Sequence, residues 1–170
     1  MKSKWALIPL AALLGVGLYA ANVLATPSVG QSTTTLGKAL AADPVDLSGH
    51  AKQPGGGWRA RLHTHGISDF YVIDNKFDVG GTSGWHSHPG PSLIFVVAGQ
   101  ITNYLGNDPS CTPHVYSAGQ SFTDNGGADV HMLRNNGTVQ AETIAVQFLP
   151  TGTDRKIDEP DPLNCHLSSP

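Results

Sequence analysis

From Trp58 to Pro150, apolar and polar positions alternate in short runs broken by turn residues. The runs RARLHTHG, DFYVIDNKFDV, SLIFVVAG, ITNYLG, HVYSAG, QSFTD, DVHMLRNN and AETIAVQFLP carry the β-branched and aromatic residues that suit a pleated, half-buried chain. Between them stand GG at 80 and 81, PGP at 89–91, GNDP at 106–109, NGG at 125–127 and NNG at 135–137, all residues that accept or impose turn geometry. No stretch of helical length in this part places apolar residues at i, i+3 and i+4. About eight short strands at this spacing predict an all-β domain, either a sandwich or a barrel. Two runs point to the core. AETIAVQFL alternates like a strand with one face in the core, with Ile144, Val146 and Phe148 set against Thr143, Ala145 and Gln147. LIFVVA is apolar on both faces, which predicts a central strand covered on both sides.

The pattern changes before Trp58. Residues 26–57 are rich in Ser, Thr, Pro and Gly, and QPGGG at 53–57 breaks regular structure, so this part reads as a flexible tether plus an edge segment. Residues 1–25 have the form of a targeting segment. Lys2 and Lys4 precede an uncharged apolar run from Trp5 to Ala21, and Val23 and Ala25 stand at −3 and −1 to a cleavage point before Thr26. The alternative is an uncleaved membrane anchor over residues 5–21, although that run is slightly short of the roughly 20 apolar residues a span needs. Either reading exports the domain, as a periplasmic or secreted protein or as one held at the membrane.

Composition narrows the function classes. A chain of 170 residues, 39% hydrophobic and 14% charged, supports one globular domain rather than a disordered segment. Its net charge is −3, and more negative once Lys2 and Lys4 leave with the leader. That balance argues against nucleic acid as a partner, and against a membrane surface beyond the N-terminal segment itself. The two cysteines, Cys111 in GNDPSCTP and Cys165 in DPLNCHLSSP, form an even count in an exported chain, which predicts a disulfide. That bond would pin the proline-rich tail, 151–170, onto the barrel.

The chemistry concentrates in GGTSGWHSHPGPSLIFVVAGQ, residues 80–100. His86 and His88 stand two apart on an extended segment, so both imidazoles face one way, at a spacing that can chelate a metal. Gly80 and Gly99 flank the pair. Further on, Gly119, Asn125, Gly127, His131 and Asn135 fall in order in GQSFTDNGGADVHMLRN, with residues 100–118 separating the two stretches. The two stretches resemble the paired motifs of the cupin superfamily, G-x5-H-x-H-x3-4-E-x6-G and G-x5-P-x-G-x2-H-x3-N. This chain departs from them at Ser92, where the family carries its glutamate, and at Asn125, where it carries proline. One extra residue also separates Gly127 from His131.

The resemblance implies a single cupin jelly-roll β-barrel over residues 58–150, with His86, His88 and His131 facing its interior. Three neutral imidazoles would hold a divalent metal ion (Fe, Mn, Zn, Ni or Cu) and leave positions open to water, substrate or O2. Ser92 cannot stand in for a carboxylate, and neither motif is read as supplying one; Glu142 falls opposite Gln147 in alternation and should face outward. His114, Tyr116 and Gln147 are candidate cavity residues, and Trp85 should point away from His86. His63 and His65 form a second H-x-H, read as an exposed or rim pair beside Arg59 and Arg61.

Three function classes follow: a metal-dependent oxygenase or isomerase-type enzyme acting on a small molecule, a non-catalytic metal- or ligand-binding module of the cell envelope, and a structural cupin without metal. The resemblance also allows a homodimer.

Overall fold

The computed structural model describes residues 24–165 and Leu167; the leader-like run at 5–21 therefore lies outside the described residues. Twelve strands and no helix occupy the described chain. In order they are β1 (Val29–Ala41), β2 (Asp46–Gln53), β3 (Gly56–His63), β4 (Ser68–Thr82), β5 (His86–Ser87), β6 (Ser92–Ala98), β7 (Gln100–Leu105), β8 (His114–Ser117), β9 (Ser121–Asp124), β10 (His131–Arg134), β11 (Ala141–Pro150) and β12 (Ile157–Asp158). All pairings are antiparallel. One layer runs β1-β4-β11-β6-β9, and the other runs β12-β5-β10-β7-β8. Together they make the jelly-roll barrel that the strand pattern and the paired motifs predict.

β4 joins the two layers. Its first part pairs with β1 and β11, and its last residue, Thr82, pairs with Arg134 of β10. The turn between layers falls at Gly80, whose φ of +80° lies in the region that side chains disfavour. Gly99 ends β6 at φ +66°, and a Cβ there would come within 2.6 Å of the Gln140 carbonyl oxygen. Both are motif glycines, and both are required by the backbone rather than by the site.

The barrel encloses an apolar core that adjoins the cavity described below. Ile73, Phe77, Ile94, Val96, Ile101, Phe122 and Leu133 fill this core, with Tyr71 and Tyr116 packed against them. A smaller cluster of Trp85, Tyr104, Met132 and Cys165 lies on the outer side of β5 and β10. Trp85 thus points away from His86, as alternation requires. Cys111 and Cys165 are bonded, with Cα atoms 5.2 Å apart, and the bridge packs into this cluster.

Three expectations are corrected. Residues 26–57 do not form a tether. β1 runs beside β4 for most of its length, and Thr33, Thr34 and Thr35 (β-formers within a polar run) pair with Asn75, Asp74 and Ile73. β3 does not belong to the barrel; it pairs only with β2, as a separate hairpin between β1 and β4, and the chain re-enters the barrel at Ser68. The third correction concerns β11 and β6. On β11 the buried residues are Ala141, Thr143, Ala145, Gln147 and Leu149, while Ile144, Val146 and Phe148 lie half-buried outside. On β6, Ser92, Ile94 and Val96 face in, but Leu93, Phe95 and Val97 are 41%, 43% and 48% exposed, so this strand is covered on one side only. The interior over β11 is a polar cavity wall, and a wall facing a cavity takes small and polar residues while the larger apolar ones fall outside.

Candidate metal centre

His86 opens β5 and His131 opens β10, and the two pair directly across the ladder. His88 follows β5 by one residue, on the same face as His86. The ring centroids lie 4.3 Å apart for His86 and His131, 4.8 Å for His86 and His88, and 5.4 Å for His88 and His131. One nitrogen from each ring falls within 4.8 Å of the others. Metal–nitrogen bonds of about 2.1 Å need somewhat closer nitrogens, so binding would draw the rings inward.

The other face of each ring is tied down. Nδ1 of His86 lies 2.9 Å from the Gly84 carbonyl, Nδ1 of His88 2.6 Å from the Arg155 carbonyl, and Nδ1 of His131 3.3 Å from the Asp129 carbonyl. A carbonyl accepts, so each Nδ1 donates its proton and Nε2 keeps a free lone pair. The Gln147 amide nitrogen also approaches Nδ1 of His88, at 3.3 Å. Nδ1 cannot accept from it while donating to Arg155, and the shorter contact sets the tautomer.

Burial keeps the trio neutral. It pushes His86 well below the ordinary imidazole value, helped by repulsion from His131 and His88. It lowers His88 to about 4, and it lowers His131 despite the opposing pull of Asp124. Neutral imidazoles are the ligating form, so the pocket presents three ligands ready at neutral pH.

The trio lines a cavity of about 40 Å3 with Ser83, Ser92, Thr143 and Gln147. On that measure a water needs about 10–15 Å3, so roughly three would fit. Two regions outside the motifs complete the wall. From β1 come Gln31 and Thr33, both bonded to Asn75 (3.2 and 2.8 Å); from the turn before β12 come Arg155 and Lys156. Arg155 donates to the Gln147 Oε1 at 3.2 Å, and Gln147 donates to Ser92 Oγ at 3.2 Å. The tail is thus part of the site as well as tethered beside it.

Gln147 lines the cavity as expected. Tyr116 does not; it stacks on Phe122 at 4.4 Å in the core, and His114 also lies away from the cavity lining. His63 and His65 are exposed on and beyond the β2–β3 hairpin. Asn135, the end of the H-x3-N motif, closes a turn: it donates to the Phe77 and Val139 carbonyls and accepts from the Gly137 N–H. Glu142 is only half-buried, on the face opposite Gln147.

A carboxylate that neither motif was expected to supply stands beside the trio, outside the lining of its cavity. Asp124, within the second motif, ends β9 opposite Ser92 of β6. Its side chain is 5% exposed; Oδ2 lies 3.9 Å from His88 Nε2, and Oδ1 lies 3.8 Å from His131 Nδ1. Because both rings are held neutral, these are not ion pairs. The alternation Ser121, Phe122, Thr123, Asp124 could have revealed it, since Phe122 points inward and Asp124 shares its face.

A family model described as "Cupin domain" matches residues 75–147. No curated protein matches the chain. Among solved structures it is similar to a cupin-like protein of Thermotoga maritima (18% identity, 54% of this chain and 65% of that one, TM-score 0.47). It is also similar to a double-stranded β-helix protein of Klebsiella pneumoniae (21% identity, 53% and 75%, TM-score 0.45). An oxalate oxidase matches at 22% identity and TM-score 0.45; 52% of this chain aligns with 45% of that chain's length.

Proposed function

Because residues 75–147 are a cupin-superfamily domain, we propose that this protein holds one divalent metal ion on His86, His88 and His131 and uses it to bind a small ligand. The observation that carries the reading is the trio itself: three buried, neutral rings, with Nδ1 of each against a backbone carbonyl. With Nδ1 of each ring turned to a carbonyl, the remaining nitrogens of three buried imidazoles converge on one space, and a metal ion is the partner that satisfies all three. The all-imidazole set suits Fe, Ni, Cu or Zn, and accepts Mn. When bound, the ion supplies a Lewis acid with coordination positions left free.

The residues around the trio set what can reach it. A cavity of about 40 Å3 admits water or a ligand of a few heavy atoms. Arg155 and Lys156 at its wall favour an anionic ligand such as a small carboxylate. Gln147, held between Arg155 and Ser92, would orient that ligand by its amide. Oxygenase or isomerase-type chemistry is the catalytic form of this reading. The small cavity favours a second form, in which the domain binds metal and ligand without turnover.

Elemental analysis of protein purified without a His tag tests the central point. About one metal per chain, lost in His86→Ala, is the expected result; no metal in the unaltered protein overturns the reading.

Two further assignments accompany it. We place the protein outside the cytoplasm, on the leader-like residues 1–25 and the Cys111–Cys165 bond. We also assign a homodimer to the outer sheet face, where Leu93, Phe95, Val97 and Val72 leave a contiguous apolar surface in the single chain. Light scattering of the protein and of Phe95→Asp tests the second: a dimer reduced to a monomer is expected.

A further inference from the structure

We infer that Asp124 supplies the site with the carboxylate that the motif lacks at Ser92, acting as a fourth, anionic ligand. The inference rests on the metal reading above. Ser92 and Asp124 are direct partners on β6 and β9, so a carboxylate at either position enters the interior at the same rung. Ser92 has no charge to offer and spends its hydroxyl on Gln147. Asp124 is set the other way. The Gly126 N–H holds its Oδ1 at 2.9 Å, while its Oδ2 is buried and accepts no hydrogen bond from the described residues.

A buried carboxylate oxygen without a partner is costly, and a cation is the partner that best offsets that cost. The distance fits. Two donors bonded to one ion at about 2.1 Å lie roughly 3 Å apart when adjacent and about 4.2 Å apart when opposite. Oδ2 stands 3.9 Å from His88 Nε2, inside that range. Asp124 reaches the trio from the His88 side, since its contact with His131 is to Nδ1, the nitrogen turned away from the ligating face. Drawn in with the rings on binding, it would complete a set of three imidazoles and one carboxylate. The net charge at the site would then match that of the motif's own three-His-one-Glu set.

Competition titration with Zn2+, supported by the visible spectrum of the Co2+-loaded protein, tests this. Asp124→Asn keeps the volume and an oxygen for the Gly126 N–H but removes the charge. It should weaken Zn2+ binding at least 10-fold and alter the Co2+ spectrum. Adding Ser92→Glu to that variant should recover most of the affinity, because the new carboxylate enters from the paired rung. Ser92→Glu alone, with Asp124 in place, should give no tenfold gain in affinity. The metal-free form of Asp124→Asn should melt higher than the metal-free parent, since an unpartnered buried charge is gone.

Wild-type affinity and spectrum in Asp124→Asn overturn the assignment of Asp124 and leave the three-His reading standing. So does a tenfold gain from Ser92→Glu alone, which would show a site still lacking its carboxylate. Failure of the unaltered protein to bind Zn2+ or Co2+ at all overturns both.

Discussion

This chain contains two H-x-H pairs, and locally they are nearly the same object. His63 and His65 have ring centroids 4.8 Å apart with planes at 88°; His86 and His88 have centroids 4.8 Å apart with planes at 83°. Period-two geometry alone accounts for both. The difference lies in what surrounds them. The first pair is at the end of a two-stranded hairpin in solvent, where Asp46 is the nearby acid, 3.8 Å from His63. The second pair faces a third imidazole from β10, has its Nδ1 atoms against backbone carbonyls and is buried under the tail. A chelating spacing is therefore cheap, and a site requires a third ligand, fixed tautomers and exclusion of water.

The comparison breaks most sharply at the metal itself. His86→Ala or His131→Ala should abolish metal binding, while His63→Ala with His65→Ala should leave it unchanged. Elemental analysis of the variants decides the matter, and loss of metal from the hairpin variant would reverse the assignment of the two pairs.

Acid gives the next largest effect. The folded values of His86, His88 and His131 all lie below the ordinary value of 6.5, so the unfolded chain binds protons more tightly than the folded one. The stability of the metal-free protein is full above about pH 6.5 and falls as pH drops toward 4, the value for His88. His88 alone would contribute about 3 kcal/mol to that fall. Urea denaturation at several pH values measures it, and a flat profile between pH 7 and 4.5 would contradict burial of the trio.

The disulfide sharpens the contrast by connecting the tail to the site. Cys111→Ser with Cys165→Ser should cost about 2–4 kcal/mol. It should also weaken metal binding, because Arg155, whose carbonyl holds His88, belongs to the tail the bond secures. Thermal melts with and without added Zn2+ separate the two effects; a loss of stability with no change in the Zn2+-induced shift would confine the bond to a structural role. The smallest effect belongs to the hairpin histidines. Replacing His63 and His65 with Ala should change stability by less than about 0.5 kcal/mol, as expected of exposed positions.

The all-β class was legible from local rules, while the choice of a jelly-roll barrel and the addition of His131 to the pair came from the resemblance to the cupin motifs. Turn residues bounded the strands, and the H-x-H spacing with its flanking glycines located the site. Asp124 was less legible for a specific reason: the familiar carboxylate position is Ser92, and only the β6–β9 pairing shows that residue 124 occupies the same rung. β1 was hidden by composition. Its Ser, Thr and Gly resemble a linker, yet Gln31 and Thr33 reach the cavity wall through Asn75.

The sequence by itself therefore determined the strand class, the His86–His88 pair and the cysteine pair, because alternation, turn chemistry and cysteine count can be read without the fold; His131 joined them through the resemblance of the second motif. Which face of β11 and β6 turns inward was decided only by the tertiary structure. Ile144, Val146 and Phe148 are the more apolar set, but the interior beside them is a small polar cavity that takes Thr143, Ala145 and Gln147 instead. The tertiary structure also brought Arg155 and Lys156 over the site, and Asp124 beside His88. Those contacts join residues far apart along the chain, and only closure of the two layers, with the tail bonded across them, sets the distances between them.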